Sequence, residues 1–167
     1  EEVRTARNAD MTRLVLNDHP VARRAYALLD SARELIRDRT FAWPQGLPIP
    51  NGRAAAGTQT ASINNVFLGA TAWALLHEVA HLKLGHQLTS NTDQEKREEF
   101  EADDWAAAWV LEKTPTEPEQ EFRTFCIAVA LVWLQLVEEI RGRDHIHPPA
   151  FERLTGCSAR FPYNNDN

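Results

Sequence analysis

The residues with the most chemistry to offer are five in a row, His77-Glu78-Val79-Ala80-His81. Two histidines four apart on a helix differ by about 40° in azimuth, so both imidazoles leave one face and can share a metal ion. Glu78 directly follows the first, where its carboxylate can reach water on that ion and take the proton released as the water attacks a carbonyl. Zn²⁺ is the expected ion: it accepts imidazole nitrogen and, in catalytic sites, keeps one position open. The bland alternative is a pair of satisfied core histidines with Glu78 at the surface. It fits poorly with the neighbours Leu75, Leu76, Val79 and Leu82, among which burying two imidazoles and a carboxylate is costly.

A catalytic zinc usually takes three protein ligands, so a third must come from elsewhere. His86 is nearest, but it lies five residues past His81 and beyond Gly85. The long metzincin pattern would place glycine and histidine where Leu84 and Gln87 stand. His86 therefore reads as a capping or surface residue. The stretch from Asp93 to Asp104 offers more, with seven acids against two bases, which is −5 of the net charge of −6. A solvated face is the ordinary meaning of such a run. Here Trp105, Ala106, Ala107, Ala108, Trp109 and Val110 follow it, so the helix must pack closely on something. Glu99 and Asp103, four apart, share a face: one can ligate zinc while the other accepts the outer ring N–H of a ligand histidine. Glu101 points roughly 160° away from Glu99 and is expected to matter little.

Helices must position these groups. Apolar residues at Ala25, Leu28, Leu29, Ala32, Leu35 and Ile36 predict a helix over Val21 to Arg37, with Asp18 able to cap it and Pro20 in its first turn. A weaker helical pattern covers Glu1 to Leu16. Residues 43–52 hold three prolines and two glycines and must be loop. Arg53 to Thr60 suits one short strand or more loop. A long segment from Ser62 to a stop at Gly85 is apolar nearly all round and predicts a central, buried helix that Gly69 could interrupt. Thr92 with Glu95, and Thr116 with Glu119, are capping-box patterns opening helices that reach Glu112 and Arg141. After Arg143 the tail reads as irregular, with one helical turn after Pro149.

A chain of 167 residues, 43% hydrophobic and 25% charged, is long enough to bury a sizeable core. Eighteen basic residues against 24 acidic ones argue against a nucleic-acid surface, which would need a basic stripe. The longest apolar run, Phe125 to Val137, is interrupted by Gln135 and falls short of the ~20 residues that cross a bilayer. Two cysteines, Cys126 and Cys157, suit free thiols in a reducing, cytoplasmic compartment. The chain begins at Glu1 rather than Met, as a trimmed or processed form would.

His-Glu-x-x-His followed by Glu99-Phe100-Glu101-Ala102-Asp103 resembles the gluzincin group that contains the CAAX prenyl and heat-shock membrane proteases. That resemblance implies Glu99 as third zinc ligand and Asp103 as the residue orienting the site. His147-Pro148-Pro149-Ala150-Phe151-Glu152-Arg153 resembles the His-Pro-Pro…Arg signature near the C-terminus of the same enzymes. The three blocks span Trp73 to Arg153 in order. Those enzymes carry transmembrane helices and this chain shows none, so it looks closer to the soluble Lit-like phage-exclusion peptidases. Residues 1–60 carry no such motif, no helix-turn-helix is evident, and no obvious edge strand is available to hold an extended peptide.

The expected fold is thus mainly α: a single zincin-like domain over residues 1–167, with a central buried His-Glu-x-x-His helix and little or no β. Residues 1–39 would form N-terminal helices, 40–60 a loop-rich connection and 61–155 the zinc-site core. The expected function is a zinc metallopeptidase acting on a protein or peptide substrate, with no nucleic-acid partner and no membrane insertion. His77, His81 and Glu99 would hold Zn²⁺, Glu78 would serve as general base and then acid, and Asp103 would accept from a ligand imidazole. His147 is a candidate donor to the developing oxyanion, with a structural role the alternative. The competing reading is a zinc-containing, partner-binding module of a phage-defence or toxin system without proteolysis.

Overall fold

The computed structural model describes residues 19–49, 51–87, 91–112, 114, 116–142, 147–158 and 161. Regular structure among them is entirely helical, as expected, with no strand. Of residues 53–60, read as a short strand or more loop, 53–58 hold turns closed by Ala54 N–H on Asn51 C=O and Thr58 N–H on Ala55 C=O, and the last two open the next helix. The expected helix over Glu1 to Leu16 lies outside the described residues. Two compact units make up the chain, Glu1–Pro48 and Ile49–Asn167.

In the first unit, α1 spans Pro20–Arg37. Its cap is His19: the ring Nδ1 accepts from the Val21 N–H at 3.3 Å, and Pro20, lacking an N–H, leaves no orphan donor beside it; Asp18, the expected cap, lies outside the described residues. The helix stops at Asp38, whose extended backbone and carboxylate turn the chain by accepting from the Thr40 N–H and hydroxyl.

The second unit holds α2 (Gln59–Leu84), α3 (Thr92–Glu112), α4 (Glu117–Arg141) and α5 (Ala150–Ser158). The long apolar segment is one helix that runs straight through Gly69. Glycine stands there because α4 comes too close for anything larger. A Cβ at that position would lie 2.5 Å from Cys126 Sγ and 3.0 Å from its Cβ. Helix α2 is central in that both α3 and α4 pack on it, but burial is confined to the stripe of Trp73, His77 and Ala80. Leu68, Leu75, Val79 and Leu82 remain exposed, because two neighbours on one side cannot cover a helix that is apolar all round.

Both capping boxes are corrected. Helix α3 is capped one residue earlier than expected, by Asn91, whose Oδ1 accepts from the N–H groups of Asp93 and Gln94; asparagine is at least as good a cap as threonine. At α4 the Thr116 side chain makes no capping bond. One of its two possible targets, the second residue of the helix, is Pro118, which has no N–H. The core joins Trp73 of α2, Ala106, Ala107 and Leu111 of α3, Ile127, Ala130 and Leu131 of α4, and Cys157 of α5. Ile127 and Leu131 are each worth ~1.5–3 kcal/mol by burial, and the alanines let the helix axes approach closely. After Pro148-Pro149 the tail forms a nine-residue helix, longer than the single turn expected. Its first N–H, that of Ala150, is held by the Glu138 carboxylate of α4 at 3.1 and 3.2 Å. A cap supplied from so far along the chain leaves no local signal.

Gly69→Ala is expected to destabilise the protein by ~1–2 kcal/mol, since overpacking of ~1–3 kcal/mol outweighs alanine's gain in helix propensity. Gly69→Ala with Cys126→Ala should recover part of the loss. Urea midpoints of the two variants check this, and a Gly69→Ala protein as stable as the parent would show that α4 can retreat without cost.

Candidate metal centre

One stripe of α2 and one face of α3 meet to form the site. His77 and His81, a turn apart on α2, bring their Nε2 atoms within 3.0 Å of each other, with ring planes at 81°. Glu99 of α3 faces both: Oε2 lies 3.3 Å from His77 Nε2 and Oε1 lies 3.3 Å from His81 Nε2. One ligand atom from each of the three side chains falls within 4.8 Å of the other two. This buried cluster could bind a metal ion.

Asp103 stands a turn along α3 from Glu99 and completes the other side of His77. Its Oδ1 accepts from His77 Nδ1 at 2.9 Å, which turns His77 Nε2 toward the cluster. Arg153, from α5, grips the same carboxylate with two parallel bonds, Nε to Oδ2 at 2.8 Å and Nη2 to Oδ1 at 2.7 Å. Its Nη1 lies 3.5 Å from Glu99 Oε2. The 3.4 Å approach of Nη2 to His77 Nδ1 is proximity rather than a hydrogen bond, since Nδ1 gives its proton to Asp103. All four side chains are buried.

The electrostatics follow from that packing. Burial disfavours a charged His77, but hydrogen bonding to Asp103 and the facing Glu99 outweigh it and raise its pKa to about 9. Burial, and then the charge of His77, holds His81 below the usual imidazole range. Burial would raise Glu99 and Asp103; instead the His77 ring and the Arg153 guanidinium keep both carboxyls below their ordinary values. The cluster thus attracts positive charge between the rings and Glu99. Within the cluster the buried Glu99 Oε2 makes no hydrogen bond, with His77 Nε2 at 3.3 Å and Arg153 Nη1 at 3.5 Å as its charged neighbours. A buried carboxylate whose two oxygens each face an imidazole nitrogen is a donor set that a divalent cation fits.

The other expected residues fall around this cluster. Glu78 is exposed and lines an open cleft of about 310 Å³ with Trp73, Leu134, Val137 and His147. His147 is half-exposed, with Nε2 3.6 Å from Glu99 Oε1. Sequence reasoning missed the connections of two residues. Arg153, carried only as part of a resemblance, is the counter-charge that lets two acids be buried together. His86, read as a capping or surface residue, does close the helix: its N–H bonds the His81 carbonyl at 3.0 Å. Its ring also lies on His81, with Nδ1 2.9 Å from His81 Nδ1. The signal was Gly85, left-handed at φ 75°, which folds the following residue back on the last helical turn.

Fold and site together define a helical protein in which two histidines of a central helix and a glutamate of its neighbour converge beside an open cleft. The chain belongs to the Peptidase U49 family, whose profile matches residues 1–167. It is 32% identical over 127 residues to the cell death peptidase of Escherichia coli (strain K12), covering 74% of this chain and 42% of that protein. The chain therefore spans less than half the length of that relative. No solved structure matches it. These findings agree with the expected kinship to Lit-like peptidases. Among the described residues no helix is long and apolar enough to cross a membrane, and Cys126 and Cys157 are buried and form no disulfide.

Proposed function

We propose that this chain is a zinc-dependent peptidase in which His77, His81 and Glu99 hold the metal and Glu78 is the general base. The observation that carries the reading is the buried Glu99 carboxylate, whose two oxygens each face one imidazole Nε2 at 3.3 Å and whose Oε2 makes no hydrogen bond. Family membership and the name of the cell death peptidase support peptide-bond hydrolysis. When bound, Zn²⁺ would polarise the scissile carbonyl and lower the pKa of a water toward ~7.

The protein's own groups do the rest. Glu78, in the cleft wall next to His77, takes the proton of the attacking water and delivers it to the leaving amine. His147, at the same cleft, donates to the oxygen that gains charge. Asp103 fixes the His77 tautomer, and Arg153 holds Asp103 while its charge keeps Glu99 ionised. With no strand among the described residues, an extended peptide would lie in the cleft between α2 and α4 rather than pair with a sheet edge. The proposal extends to a protein substrate in a phage-defence setting, that of the Lit-like peptidases the chain resembles.

The test is metal removal. Protein purified without added metal should carry zinc, and Glu99→Ala should lose it. Hydrolysis of a quenched-fluorescence peptide library should stop with chelator and return with zinc. A folded, metal-free wild type, or hydrolysis indifferent to chelator, would overturn the proposal. Tightly held zinc with no hydrolysis would favour the partner-binding alternative.

A further inference from the structure

The two imidazoles of the cluster are anchored differently on their outer sides. His77 Nδ1 rests on the buried Asp103–Arg153 pair. Among the described residues His81 Nδ1 meets no carboxylate but His86 Nδ1, at 2.9 Å, with ring centroids 5.0 Å apart at 70°. On its far side His86 Nε2 lies 3.2 Å from Glu101 Oε2. The His86 side chain is only 8% exposed, whereas Glu101 is 62% exposed.

We propose that His86 and Glu101 are positioning residues that hold His81 in its ligating orientation, through a chain running from His81 Nδ1 to His86 and on to Glu101. The proposal rests on the reading of His77, His81 and Glu99 as metal ligands. Proton bookkeeping supports it. A His81 that offers its Nε2 lone pair to a cation must carry its proton on Nδ1. That N–H then donates to His86 Nδ1, which must be a bare acceptor. His86 therefore carries its own proton on Nε2 and donates it to Glu101. Each link has one donor and one acceptor. Ligation at Nε2 thus sets the direction of the whole chain, and the chain in turn favours the tautomer that ligates.

The local fold supplies the geometry. Gly85 adopts the left-handed conformation, and the His86 N–H bonds the His81 carbonyl, so the residue after the helix is laid across the last turn. In this kind of helix ending the contact is commonly apolar. Here it is a hydrogen bond between two rings. Glu101 lies on the side of α3 away from Glu99, and that direction is the one that meets His86.

An apolar contact alone would be kept by His86→Leu, which preserves the helix ending but removes the acceptor. Expected is unchanged stability of the metal-free protein with zinc affinity reduced ~10–100-fold, the usual cost of losing an outer partner. His86→Asn, whose side-chain oxygen can accept near the Nδ1 position, should restore most of the affinity. Glu101→Ala, a substitution at an exposed site with little risk to folding, should weaken binding several-fold. Competition with a chromophoric chelator measures affinity, and the visible spectrum of the Co²⁺-substituted proteins reports the ligand geometry. Equal affinity and equal Co²⁺ spectra in wild type, His86→Leu and Glu101→Ala would overturn this inference and leave the metal site standing. A folded wild type that binds neither Zn²⁺ nor Co²⁺ would overturn both.

Discussion

Glu78→Gln is expected to keep its metal and to hydrolyse peptide ~10²–10⁴-fold more slowly, the range that general-base catalysis supplies. Glutamine matches glutamate in size but cannot take the proton of the attacking water. Glu78 follows His77 on α2, about 100° further round the helix, so it lines the cleft beside His77 and Glu99 without being one of the three side chains that converge. Removing its charge therefore leaves the ligand contacts in place. Metal content per chain and single-turnover hydrolysis separate the roles. Metal lost from a folded Glu78→Gln protein would make Glu78 a ligand, and an undiminished rate would dismiss it as the base.

Arg153→Ala should have the largest effect on stability. It strips the counter-charge from Asp103, which is 2% exposed, and breaking a buried pair by removing one partner costs ~3–5 kcal/mol. Against a total of ~5–15 kcal/mol for a folded protein, that is a large share. Asp103→Ala should also destabilise, and by freeing His77 Nδ1 should cost ~10–100-fold in zinc affinity. Asp104→Ala, one position along and exposed, should do neither. The pH dependence has a definite sign. The Asp103 carboxyl lies below its ordinary pKa in the folded protein, so its contribution is fully present above the unfolded value of ~3.9 and fades as pH falls through the folded one. The gap between wild type and Arg153→Ala should be widest near neutral pH and shrink below ~4. Urea unfolding at both pH values checks it. A gap that persisted undiminished in strong acid would mean that Arg153 stabilises through packing and not charge.

The five described helices were nearly all legible, because helix periodicity and stop signals act within a few residues. The Gly85 stop, the loop expected over residues 43–52 and the shared face of His77 and His81 are all local features of that kind. The two capping boxes were misread for a local reason too, since Asn91 outcompeted Thr92 and Pro118 removed a donor. Helix α5 was underestimated because its cap, Glu138, belongs to another helix.

What the sequence determined by itself is the inventory and its facing: two histidines on one side of α2, and Glu99 with Asp103 on one side of α3. Which carboxylate meets the Nε2 atoms and which meets Nδ1 was open from spacing, because either order satisfies a four-residue repeat. Only the crossing of α2 and α3 decided it. Arg153 reaches Asp103 across 50 residues of chain, and nothing periodic in a sequence encodes such a meeting. Helix packing brings the two ends together, and once buried, each charge needs the other.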